Sequence, residues 1–215
     1  MHQPTLHPAP HDRARASSGR RPQMLHHLTL ALALCSALWL ASTPAPCQAA
    51  DAAPSTAVAT ALAQFAQASA GQTAAIDPAA EQLRALSAAQ PDSPVLRAYA
   101  GAATAMQSRT TLLPWKKMSL AEDGLAMIDK ALAQLTPAHD APGLRGVPAS
   151  LETRFTAAST FLNLPTMFNR HERGEQLLAQ VLASPLLASA PAGFQSAVAH
   201  AEQARQAALN KPKAP

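Results

Sequence analysis

Aromatic residues make up only 4% of the 215-residue chain and charged residues 14%, while the two cysteines both fall in the first 47 positions. Each scarcity excludes something. With so few aromatic and β-branched side chains there is too little strand-forming material for a sandwich or barrel. The low charge, together with 48% hydrophobic residues, excludes a highly charged disordered chain, and a mean hydropathy of -0.03 excludes a multi-span membrane protein. What is abundant is alanine, about a quarter of all positions, the strongest helix former. The composition therefore predicts an all-α fold.

The N-terminal residues read as a leader. Arg20 and Arg21 precede the apolar run LTLALALCSALWLA from Leu28 to Ala41, followed by STPAPCQAA. The run is shorter than the ~20 residues a spanning helix needs, and the small residues Cys47 and Ala49 fit a signal-peptidase site. Residues 1–49 are thus predicted to be a secretory signal peptide cleaved after Ala49, with Met24 as a second possible start. An uncleaved anchor beginning near Leu25 is the alternative. The arginine pair lacks the flanking residues of a twin-arginine signal, and neither Cys35 nor Cys47 follows a small residue as lipid attachment requires. A periplasmic or secreted location follows.

Removing the leader changes the charge argument. Residues 50–215 carry thirteen Lys and Arg against twelve Asp and Glu, so the basic pI is mostly a property of the leader and indicates neither nucleic acid nor acidic lipid as a partner. The processed chain would contain no thiol, which excludes disulfides, thiolate catalysis and cysteine-held metals. At 166 residues it would bury about 70% of its unfolded surface without covalent staples.

Helix punctuation divides residues 50–210 into seven predicted helices, ahead of a disordered tail at 211–215. The first spans Thr56 to Ser69. The second, Pro78 to Ala89, is capped by Asp77. The third opens at Ser93 and Pro94, with Leu96, Tyr99, Ala103 and Met106 on one face and Gly101 inside it, which predicts close approach of a neighbouring helix. The fourth starts at a capping box of Ser119 and Glu122 and buries Leu120, Gly124, Ile128, Ala131 and Leu135. A Pro- and Gly-containing linker from Thr136 to Pro148 joins two halves of the core. The fifth helix is capped by Ser150 and ends before Pro165. The sixth opens at a second capping box, Asn169 with Glu172, and ends at Pro185. The seventh runs from Pro191 to about Leu209, fraying at its Ala- and Gln-rich end.

GLAMIDKALAQLTP from Gly124 and GEQLLAQVLASP from Gly174 can be laid over one another: each starts with Gly, has a large apolar residue four on (Ile128, Leu178) and closes near a Pro. This resembles the second helix of a tetratricopeptide repeat, although the offset is 50 residues rather than 34 and the first helices lack the repeat's Trp and Leu-Gly signature. From Tyr99 to Pro185, the stretches YAGAATAMQSR, LLPWKKM, GLAMIDKALAQL, FLNLPTMFNR and RGEQLLAQVLASP resemble an uncharacterised group of exported bacterial tetratricopeptide-like proteins. The resemblance implies stacked antiparallel helix pairs and an exported compartment, and assigns no activity and no functional residue.

The segment TLLPWKKM, residues 111–118, reads as the loop between the third and fourth helices. Trp115 has two readings: a contact hot spot beside Lys116 and Lys117, or, the reading the sequence favours, a plug that fills the turn together with Leu112, Leu113 and Met118. His171, Glu172 and Glu175 superficially resemble a zinc-protease helix, but HExxH is not met. His139 and His200 add no ligand spacing, and Arg170 and Arg173 make the segment a solvated helix start. Met106, Met118, Met127 and Met167 suit packing better than copper handling. No nucleophile elbow or phosphate-binding glycine loop is present, so no cofactor is expected. The resulting expectation is an exported tetratricopeptide-like scaffold without enzymatic activity, binding a protein or peptide through the groove of its first helices near Tyr99, Arg109, Trp115, Lys116 and Lys117. Two alternatives stand beside it: a small exported hydrolase around His171 and Glu175, and an envelope structural protein held by an uncleaved leader.

Overall fold

A computed structural model describes residues 56–210 of the chain. The expected leader, its cleavage after Ala49, the second start at Met24 and the tail at 211–215 lie outside these residues. Among the described residues the fold is all-α, with seven helices and no strand: α1 Thr56–Ser69, α2 Ile76–Ala89, α3 Pro94–Met106, α4 Pro114–Ala133, α5 Ala149–Leu162, α6 His171–Leu182 and α7 Ala192–Leu209. None is long and apolar enough to cross a membrane.

α3 is the centre. Twelve of its thirteen residues are buried, all except Arg97, so it is apolar on every side rather than on the one face its periodicity predicts. Its run of small residues from Ala100 to Ala105 makes this possible, because α2, α4 and α5 all pack against it. Gly101 answers the expectation of a close neighbour. A β-carbon there would lie 2.6 Å from the Gly124 carbonyl oxygen and 2.9 Å from Ile128, and one on Gly124 would lie 2.7 Å from the Ala105 backbone nitrogen. Residue 101 meets 128 while 105 meets 124, so α3 and α4 run antiparallel. Gly174 has the matching place on α6, where an added β-carbon would sit 3.0 Å from Leu162 and 3.1 Å from Phe161 of α5.

Two apolar clusters result. The first gathers Val58, Leu62, Leu83, Leu96 and Tyr99 from α1 to α3. The second gathers Ile128, Leu151, Phe161, Leu178, Val181, Phe194 and Val198 from α4 to α7. Phe65 packs against both and meets the Tyr99 ring edge-on at 4.9 Å.

Several expected helix starts differ. α3 is capped as expected, the Ser93 hydroxyl accepting from the Leu96 N–H at 3.3 Å. α4, however, begins at Pro114, five residues before Ser119. Proline at the first helical position has the correct φ and no N–H to leave unpaired, so the capping box of Ser119 and Glu122 lies inside a continuous helix. α5 starts at Ala149, and Ser150 is a buried donor to the Asp140 carboxylate rather than a cap. Asp77 sits in the first turn of α2, where it accepts from the Gln107 amide at 2.7 Å. Asn169 does not cap α6: at φ 52° it closes the preceding 3-10 turn in the left-handed region, which Asn tolerates better than most residues. α7 stays helical to Leu209, with the Glu202 carboxylate accepting from Arg205 and Gln206.

Candidate functional site

The linker between α4 and α5 is more than a connector. A 3-10 turn at Pro137–Asp140, backbone bonds from Gly143 N to Val147 O (2.7 Å) and from Ala149 N to Ala141 O (3.2 Å), and buried Val147 fix its course. Gly146 supplies the positive φ the turn needs. The linker thereby delivers Arg145 to Glu152, which is 0% exposed. One carboxylate oxygen, Oε1, accepts from Arg145 Nε at 2.8 Å, from Arg145 Nη2, and from the Tyr99 hydroxyl at 2.9 Å. The Tyr99 hydroxyl in turn accepts from Arg145 Nη2 at 2.7 Å. Burial, and then the neighbouring Glu152 charge, push the Tyr99 phenol well above its usual range. Arg145 is also raised: burial opposes its charge, but contact with Tyr99 and Glu152 outweighs that cost.

This geometry corrects the expectation for Tyr99. At 7% exposed, with its hydroxyl engaged by two partners, it is a core residue and not part of a contact surface.

Arg109, Trp115, Lys116 and Lys117 flank the turn from α3 into α4, and all four are exposed. Tyr99 lies ten residues before Arg109, about 15 Å back along the helix. The plug reading of Trp115 is overturned: Trp115 is 70% exposed and Leu112 91%, Leu113 is exposed as well, and only Met118 is partly buried. Because Pro114 starts the helix early, no over-long loop is left to fill, and these side chains project from the helix end.

A cleft of about 340 Å³ opens between α4, α5 and α6. Leu132 and Leu135, Arg154 of α5, and Arg173, Gln176, Leu177 and Gln180 of α6 line it. Arg173 is anchored: its Nη1 donates to Asp129 Oδ1 at 2.6 Å, and Arg170 pairs with Asp129 Oδ2 at 3.0 Å. Both guanidinium groups lie 5.6 Å from the centre of the Phe161 ring. What looks in sequence like a solvated helix start is therefore the clamp between α6 and α4. Arg154 is half-buried and enters no ion pair among the described residues.

His171 and Glu175 stand one turn apart on α6, 3.8 Å from each other. Glu175 borders a second cavity with Glu202 and Arg205. Among the described residues no group of three or more His, Cys, Asp and Glu side chains could hold a metal ion.

Sequence reasoning missed Arg145, Glu152, Arg154 and Asp129. The apolar Val147 inside the linker was the available sign that this segment is held against the core. Nothing in the local sequence marks Glu152 as buried, since charged residues are usually exposed. Comparison with known proteins found no matching family model, no matching curated protein and no matching solved structure.

Proposed function

We propose that the chain is a tetratricopeptide-like scaffold of the bacterial envelope that binds a protein or peptide partner in the cleft between α4, α5 and α6. The observation that carries this reading is Arg154, a partly buried arginine on the cleft wall that enters no ion pair among the described residues. A carboxylate from a ligand would supply its guanidinium with two aligned acceptors. Leu132, Leu135 and Leu177 offer apolar area, while the Gln176 and Gln180 amides can donate to and accept from a peptide backbone. The volume is at the small end for ligand sites, which suits a short segment with one acidic and one or two apolar side chains.

The repeat-like organisation is supported by the glycines Gly124 and Gly174, each on the second helix of a pair where an added β-carbon would crowd the first. The exported compartment rests on the leader expected from the sequence of residues 1–49.

A peptide array probed with the protein tests the reading. Acidic-apolar peptides should be retained over basic ones, and R154E should weaken that retention at least tenfold while circular dichroism is unchanged. Equal binding by R154E, or a preference for basic peptides, would overturn it.

A further inference from the structure

The cleft leaves the α3–α4 turn unused. Leu112 and Trp115 are 91% and 70% exposed, a degree of exposure that belongs to a protrusion rather than to the wall of a groove. Large apolar side chains left in water at a protein surface mark an interaction site when they cluster, and here Leu112, Leu113 and Trp115 fall within four residues of one another.

The charge around them is of one sign. Arg109, Lys116 and Lys117 are exposed and enter no ion pair among the described residues, and no Asp or Glu occurs from Ser93 to Ala121. The first carboxylates after the turn are Glu122 and Asp123, more than a helical turn beyond Lys117, and Asp123 accepts from Ser119 at 3.4 Å, while Asp77 accepts from Gln107. Lys116 and Lys117 also occupy the first turns of α4, where the helix dipole disfavours cations. The two lysines are therefore not placed to stabilise the helix they begin, whereas Arg109 ends the 3-10 turn that follows α3.

The geometry points to this turn as a membrane-docking tip that inserts Leu112, Leu113 and Trp115 into the interface of an anionic lipid bilayer while Arg109, Lys116 and Lys117 meet the headgroups. Indole is suited to the boundary between headgroup and acyl chain, and the apolar-plus-cationic combination is the one by which peripheral segments bind acidic lipid. A protruding tip needs a deformable partner that closes around it, which a bilayer provides. A folded protein would need a preformed pocket, and the charge it presented would have to complement all three cations. This surface is separate from the α4–α5–α6 cleft and does not depend on a peptide ligand.

The test uses the full chain with Trp39→Phe, which leaves Trp115 as the single Trp. Vesicles of phosphatidylcholine with and without 30% phosphatidylglycerol are added, and Trp115 emission and its quenching by brominated acyl chains are followed. Anionic vesicles should shift the emission to the blue and expose Trp115 to quenching, and 0.5 M salt should weaken the response. Each cation is worth about a fivefold change in partitioning, so R109E/K116E/K117E should lose 100-fold or more, and L112S/L113S should bind without Trp115 quenching. All five positions are exposed, so circular dichroism should be unchanged. A chain that binds vesicles with Trp115 still in water, an equal response to neutral vesicles, or a Trp115 shift with an acidic protein but not with anionic lipid would each overturn the proposal.

Discussion

The carbonyl oxygen of Gly101 lies 2.5 Å from where a β-carbon on Gly124 would be, and the carbonyl oxygen of Gly124 lies 2.6 Å from the equivalent point on Gly101. Two helix backbones thus touch with nothing between them. Alanine is the better helix former at either position by about 1 kcal/mol, yet a methyl group would strike backbone, which cannot rotate aside. G101A and G124A are each expected to destabilise the fold by about 1–3 kcal/mol net, measured by urea denaturation. The double variant should cost less than the sum, because separating the helices once relieves both clashes.

Arg145 and Tyr99 should be unequal partners for Glu152 to lose. R145A leaves a fully buried carboxylate without its counter-ion, the situation that costs about 3–5 kcal/mol in buried pairs. Arg145 is itself 44% exposed, so solvent screening places the expected loss at or below the lower end of that range. Y99F removes one donor to the same oxygen and should cost about 1–3 kcal/mol. A double-mutant cycle should show the two losses coupled, since both partners meet at Glu152 Oε1.

Alkaline pH should act through Tyr99. Its pKa is raised in the fold, first by burial and then by Glu152, so the folded state holds the phenolic proton more tightly than the unfolded chain does. The contribution is complete below the unfolded value of about 10 and is lost progressively as pH rises above it. The urea midpoint should be flat from pH 8 to 9.5 and fall beyond 10, and Y99F should flatten the fall.

Acid should act locally on α7. Hydrogen bonds from Arg205 and Gln206 hold the Glu202 carboxyl down at about 2. A depressed carboxyl stabilises the fold above its unfolded pKa and loses that contribution as pH falls toward the folded one. NMR titration should place Glu202 near 2, with helical shifts around Arg205 weakening over the window from about 4.5 down to 2. E202Q should remove that pH dependence.

Asp129 holds two arginines of the α6 start at once. D129N keeps the shape and removes the charge, so amide exchange across residues 170–175 should accelerate while the α5 core around Phe161 stays protected. Partial exposure of all three side chains limits the global effect to about 1 kcal/mol.

Much of the fold is legible along the chain. α1 has the bounds that apolar spacing and Gly71 predict, the Ser93 cap and Pro94 open α3 as expected, and Gly101 announces a close helix neighbour before the neighbour is known. The errors collect at helix starts. Ser119, Ser150 and Asn169 are residues that cap helices well in isolation, but Pro114, Pro148 and the left-handed turn at Asn169 set the actual entries. The contact residues divide similarly. Arg109, Trp115, Lys116 and Lys117 stay exposed beside one turn because they are close in sequence, whereas Tyr99 is claimed by partners 46 and 53 positions away.

Composition and apolar periodicity by themselves determined that this chain folds as about seven helices, because helix formation depends on residues within a turn or two of each other and alanine favours it throughout. Tertiary packing alone decided which polar groups are enclosed and which apolar ones are left outside. The burial of Glu152 under Arg145, the clamp of Asp129 on Arg170 and Arg173, and the exposure of Leu112 and Trp115 depend on where distant segments come to rest. Desolvation is a property of that arrangement, so no local pattern encodes it.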